Sequence, residues 1–114
     1  MTSERFCYLH VTDQYTLHQF GGNLRNAFPT AIGILHVGSS VTRPNWRDVD
    51  VRIVLPDDEY DQLTAITDPK VLAVALSIWG QQFTRLPIDC QVQRFSDQLP
   101  EGHLPRHSIG GLPL

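Results

Sequence analysis

A chain of 114 residues with 9 Lys and Arg against 12 Asp and Glu, formally −3 at pH 7, has room for one domain of ordinary size and no overall basic field for gripping a polyanion. Its two cysteines, Cys7 and Cys90, stand far apart without metal-ligand spacing, the pattern of reduced thiols rather than of a disulfide framework. Polar residues interrupt the apolar runs well short of the ~20 residues a membrane span needs and no signal peptide is visible, so the expectation is a soluble, cytoplasmic protein.

In chain order, residues 6–11 alternate Cys7, Leu9 and Val11 with Tyr8 and His10, which predicts a short edge strand. Leu17, Phe20, Leu24, Ala27 and Phe28 recur at helical spacing over residues 13–28, with Thr12 or Asp13 as cap and Pro29 as stop. Gly21-Gly22 weakens that helix by roughly 1 kcal/mol per glycine relative to alanine. Residues 31–37 are short, almost wholly apolar and bounded by Pro29-Thr30 and Gly38, which predicts a buried strand. A loop or single turn of helix follows over residues 39–47.

Asp48-Val49-Asp50 then leads into Val51-Arg52-Ile53-Val54-Leu55. In a strand, side chains at i and i+2 share a face, so Asp48 and Asp50 project together, opposite Val49, Val51, Ile53 and Leu55. Two adjacent carboxylates repel. A hard divalent cation removes that repulsion, and Mg²⁺ takes one or two carboxylates while leaving its other positions to water and substrate phosphates. The pair therefore reads as a metal site in an enzyme acting on a nucleoside triphosphate. Arg52 lies on the same face, placed either to pair with a carboxylate or to neutralise phosphate. His36, inside an apolar strand, reads as a hydrogen-bonded core or edge histidine.

Pro56-Asp57-Asp58-Glu59 opens a helix whose acidic first turn suits the positive end of the helix dipole and which runs to about Ile66. Asp68-Pro69 restarts a second one, a capping side chain followed by proline at the first helical position. On it Leu72, Ala75, Leu76, Trp79, Phe83 and Leu86 form one stripe, making it the main core helix, stopped by Pro87. Ile88, Cys90 and Val92 alternate with Asp89, Gln91 and Gln93 as in a half-buried strand. Residues 96–114, rich in Pro, Gly and His, read as an extended or partly disordered tail beyond a single domain of residues 1–95. The order predicts an α+β fold, a small mixed sheet covered by helices.

Gly38-Ser39, Asp48-Val49-Asp50 and Asp89, in this order and with strand-like flanks, resemble the signature of the DNA polymerase beta-like nucleotidyltransferase superfamily, in particular its minimal single-domain members. The resemblance spans residues 20–95. It implies that Asp48, Asp50 and Asp89 ligate Mg²⁺ or Mn²⁺, with Asp89 helping to deprotonate an acceptor hydroxyl. It also implies that Gly38, Ser39, Ser40 and Arg43 hold the triphosphate. Many members carry a basic or small residue and another glycine after Gly-Ser, whereas here Ser40-Val41-Thr42-Arg43-Pro44-Asn45-Trp46 follows. In that loop Trp46 is placed either to stack on a base or to be partly buried.

The implied reaction moves a nucleoside monophosphate to a hydroxyl of a protein or nucleic-acid acceptor such as tRNA. The implied alternative is a degenerate fold that binds or regulates a toxin-like protein partner, as an antitoxin does. Haloacid dehalogenase-type phosphatases and many nucleotide-sugar glycosyltransferases place their acidic motif after a hydrophobic strand, whereas here the apolar run follows it. The Gly-x-x-x-x-Gly-Lys phosphate loop is also missing.

Overall fold

The computed structural model describes residues 7–97 and 106–110. Eight elements follow one another: α1 (Val11–Ala27), β1 (Gly33–Val37), α2 (Ser39–Thr42), β2 (Val49–Leu55), α3 (Asp57–Ile66), α4 (Pro69–Thr84), β3 (Ile88–Arg94) and β4 (His107–Ser108). The strands form one sheet in the order β3-β2-β1-β4, with β1 antiparallel to β2 and β4, and β2 parallel to β3. The protein is thus an α+β domain with a four-stranded mixed sheet. Among the described residues no single helix is long and apolar enough to cross a membrane.

One face of the sheet makes the core. Ile34 of β1, Val49, Val51, Ile53 and Leu55 of β2, and Ile88 and Cys90 of β3 join Leu17, Phe20 and Leu24 of α1 and Leu76 of α4 in a single buried cluster. Period-two alternation then sends Val37, Asp50, Arg52 and Asp89 to the opposite face. Both cysteines are buried and free, and burial pushes the Cys90 thiol up to about 12.

The predicted edge strand over residues 6–11 does not form. Phe6 lies outside the described residues, residues 7–10 make a turn, and α1 already begins at Val11 with His10 as its cap. Cys7 and Leu9 are buried as the alternation requires. However, the Tyr8 amide donates to the Ser40 carbonyl rather than to a strand, and the Gln14 side chain donates to the Leu9 carbonyl. Within the C-terminal stretch, residues 107–108 return to the sheet as β4 beside β1, and Ile109 is buried. The chain crosses α1 there at a glycine pair: a Cβ on Gly21 would stand 2.5 Å from the Gly110 backbone nitrogen. That close approach accounts for a glycine in mid-helix.

Helix α4 starts as predicted, with the Asp68 carboxylate accepting from the Lys70 amide at 2.9 Å and Pro69 in the first turn. Its buried line is rotated from the predicted stripe: Leu76, Gly80 and Thr84 face inward, while Ala75, Trp79 and Phe83 are exposed. Gly80 sets the rotation. A Cβ there would meet Ile88 at 2.8 Å and the Phe20 ring at 2.9 Å, so the glycine lets the helix backbone settle against both. Trp79 and Phe83 then flank the same ring, Trp79 edge-on with centroids 5.3 Å apart.

Phe20, fully buried beneath this junction, is the core anchor, and Phe20→Ala should cost about 3–5 kcal/mol. Trp79, 37% exposed, loses chiefly its edge-to-face contact, and Trp79→Ala should cost roughly half as much or less. Urea titration of both variants checks the ranking, and an equal or larger loss for Trp79→Ala would contradict the rotated helix face.

Candidate active site

Three strand ends build the site. β1 ends at Val37, which pairs with Asp50 near the start of β2, and Asp50 pairs in turn with Asp89 near the start of β3. Val37, Asp50 and Asp89 therefore form a row across the sheet on the face opposite the core. Asp50 and Asp89 are direct partners in the parallel register, close enough for the charge of Asp89 to act on Asp50. Burial raises the pKa of Asp50 above the usual carboxylate range; the nearby Arg52 cation opposes this, and the charges of Asp89 and Asp48 add to it. Asp48 precedes β2 and acts on Asp50 through its charge.

Gly38 is fixed by this carboxylate. Its backbone, at φ 82° and ψ −159°, occupies a region that is essentially glycine-only. A Cβ there would collide with Asp50 Oδ2. The turn hands the chain to α2, and Ser39 reaches a cleft of about 500 Å³ that is also lined by Arg43, Asn45, Arg47, Asp48 and Asp50. Two arginines and two aspartates thus line one concavity.

Ser40 points the other way. It is fully buried, and its hydroxyl lies 2.6 Å from His36 Nε2. His36 is the hydrogen-bonded core histidine, and burial, helped by His107 and His18, lowers its pKa from 6.5 to about 4. Of the residues expected to hold a triphosphate, Gly38, Ser39 and Arg43 meet the carboxylates at the cleft, while the Ser40 hydroxyl belongs to the core. Trp46 is partly buried, and its indole donates to the Tyr8 carbonyl. Arg52 donates to the Val51 and Asp89 carbonyls at 3.0 and 3.3 Å.

Asp89 is held from outside the sheet. β3 is an edge strand, and α4 caps its free backbone groups on both sides of Asp89. Gln81 donates to the Ile88 carbonyl at 3.0 Å, and the Ser77 hydroxyl accepts from the Cys90 amide at 2.8 Å and donates to the Cys90 carbonyl. These clamps blunt the edge and fix Asp89 against Asp50. They follow from α4 lying along β3, which local sequence does not reveal. Arg47 and Asn45 were also missed, although Arg47, four residues after Arg43 and next to Asp48, carried a signal in its charge.

Among the described residues no group of three or more His, Cys, Asp or Glu is placed to hold a metal ion. The neighbouring pair Asp50 and Asp89 does match the demand of Mg²⁺, which needs only one or two protein carboxylates when phosphates complete its shell. Burial first, and then the charges of Asp89 and Asp48, raise the Asp50 pKa, so a bound cation would relieve the like-charge part of that cost. Comparison with protein-family models, curated proteins and solved structures gave no match.

Two pH effects follow. Because the folded chain holds the Asp50 proton more tightly than the unfolded chain, its stabilising contribution is complete below the ordinary Asp pKa of ~3.9 and fades as pH rises through the folded value. Asp50→Asn should therefore melt above wild type at pH 7 without metal, the gain closing toward pH 4; an equal or lower melting temperature at pH 7 would contradict the close pair. His36 has the opposite dependence. Its folded pKa lies below 6.5, so stability present above pH 6.5 is lost as pH falls toward 4, on the order of 3 kcal/mol in all. Melts across that window should show the decline, and His36→Gln should flatten it.

Proposed function

We propose that the protein is a metal-dependent nucleotidyltransferase of the DNA polymerase beta-like kind, moving a nucleoside monophosphate from a triphosphate to an acceptor hydroxyl. The observation that carries this reading is the pairing of Asp50 with Asp89 on neighbouring parallel strands, beside a glycine turn that only an unsubstituted backbone can make. Transfer at phosphorus asks a protein for charge neutralisation and in-line placement more than for a nucleophile of its own. Arg43, Arg47 and the Ser39 hydroxyl bind the triphosphate in their cleft, while Asp50 and Asp89, with Asp48 beside them, are the carboxylates that would hold Mg²⁺ or Mn²⁺. When bound, the cation supplies neutralisation of the phosphate charge.

The acceptor oxygen forms its bond to the α-phosphorus as the bond from that phosphorus to the α,β-bridging oxygen breaks. Asp89 receives the hydroxyl proton, and pyrophosphate leaves. Arg52, anchored on two backbone carbonyls, keeps a positive charge near Asp50 and limits how far its pKa rises.

A second reading, a binding or regulatory protein on a degenerate nucleotidyltransferase fold, draws on Ser40, whose hydroxyl is committed to His36 and is lost to phosphate. Calorimetric titration of ATP, GTP, CTP and UTP, with Mg²⁺ or Mn²⁺ and with EDTA as control, separates the two. Metal-dependent binding of at least one triphosphate is expected, weakened at least about tenfold in Asp50→Asn and in Asp89→Asn, as for loss of a charged contact. Absence of binding to all four would favour the regulatory reading, and unchanged binding in both variants would remove the assigned site.

A further inference from the structure

A second cleft opens on the other side of the carboxylates. It has a volume of about 380 Å³, lies between α4 and β3, and is bordered by Asp48 and Asp89, with Val74, Ile78, Ser77 and Gln81 of α4 along its wall. Asp48 belongs to both clefts, Asp50 only to the first and Asp89 only to the second. The two concavities are thus joined at the acidic residues and differ in chemistry. The first carries Arg43 and Arg47; none of the described residues lining the second is basic.

Apolar surface continues outward from this second cleft. Val74 and Ile78 are 59% and 48% exposed, and Val71 and Ile66, further toward the start of α4 and the end of α3, are more exposed still. Val71, Val74 and Ile78, at helical i, i+3 and i+7 spacing, form one exposed aliphatic stripe along α4 of the kind that marks a binding surface. The stripe extends beyond the cleft, and a small molecule seated between α4 and β3 would leave Val71 uncovered.

We infer that this cleft and the α4 face beside it receive the acceptor, and that the acceptor is a polypeptide presenting a Ser, Thr or Tyr hydroxyl from an apolar-sided segment. The inference rests on the nucleotidyl-transfer reading and narrows it. A nucleic acid needs cations along its phosphates. Here the described residues lining the cleft include no Lys or Arg and its α4 wall is largely aliphatic, on a protein whose net charge is −3. A polypeptide segment covers aliphatic surface favourably, needs no cations along its backbone, and delivers its hydroxyl next to Asp89, the residue placed to take the proton.

The test uses the full-length protein, α-³²P-labelled triphosphate and Mg²⁺, with two acceptor probes in parallel: a degenerate peptide library with Ser, Thr or Tyr flanked by apolar residues, and total tRNA. Label should enter the peptides. Val74→Glu and Ile78→Glu, both at exposed positions, should reduce peptide labelling at least about tenfold by placing a charge against an apolar partner. Their calorimetric affinity for triphosphate should stay as in wild type. Label in tRNA alone, no label in peptides while triphosphate still binds, or peptide labelling indifferent to both substitutions would each overturn the assignment. Absence of triphosphate binding in the wild type would instead remove the nucleotidyl-transfer reading, and this inference with it.

Discussion

The parallel register of β2 against β3 is the constraint on which the rest of the molecule depends. It pairs Val49 with Ile88, Val51 with Cys90 and Ile53 with Val92 on the core face. Burial of these side chains drives the pairing, at about 25 cal/mol per Å² of apolar surface removed from water. Strand alternation leaves no freedom over what happens on the other face: Asp50 must stand beside Asp89. A one-residue slip would expose every apolar member of the row. The hydrophobic core thus holds together two carboxylates that would otherwise separate.

That arrangement stores tension locally and distributes its support. Asp50 is pressed by Asp89 and Asp48 and eased by Arg52, while Gly38 leaves room for its carboxylate. Asp89 is held through its neighbours' backbone by Ser77 and Gln81. The phosphate-side loop is secured from within, where Ser40 is bonded to His36 and its carbonyl accepts from Tyr8. His36 is in turn paired across the sheet with His107 of β4, so the last described strand lies directly behind the turn that enters the cleft. Each support is a buried or half-buried polar contact of the kind that costs stability when one partner is removed.

Helix α4 has two roles that its sequence does not separate. Its inner line, Leu76, Gly80 and Thr84, packs on Phe20 and Ile88, and Ser77 and Gln81 reach the edge of β3. Its outer line keeps Val71, Val74 and Ile78 in solvent. Apolar residues occur on both sides of the helix, so helical spacing alone identified the element without identifying the buried face. The glycine at position 80 decided the question, because only the absence of a side chain lets the helix approach both Phe20 and Ile88. The same reasoning applies to Gly21, where a residue unfavourable to α1 taken alone is required by the backbone of Gly110.

By itself the sequence determined the strand and helix order from Gly33 to Arg94, though not the return of residues 107–108 to the sheet, as well as the caps and stops around α4 and the placing of Asp50 and the valine run on opposite faces, because these depend on alternation, helical period and turn chemistry within a few residues. Through the resemblance it also marked Gly38, Ser39, Ser40, Arg43, Asp48, Asp50 and Asp89 as a set. Only the tertiary structure decided that Asp50 and Asp89 stand side by side, that Ser40 turns inward to His36, that Arg47 shares the cleft, and that residues 7–10 join no strand. Those outcomes depend on register between segments distant in the chain and on which side chain fills which space. Neither leaves a periodic trace in one dimension.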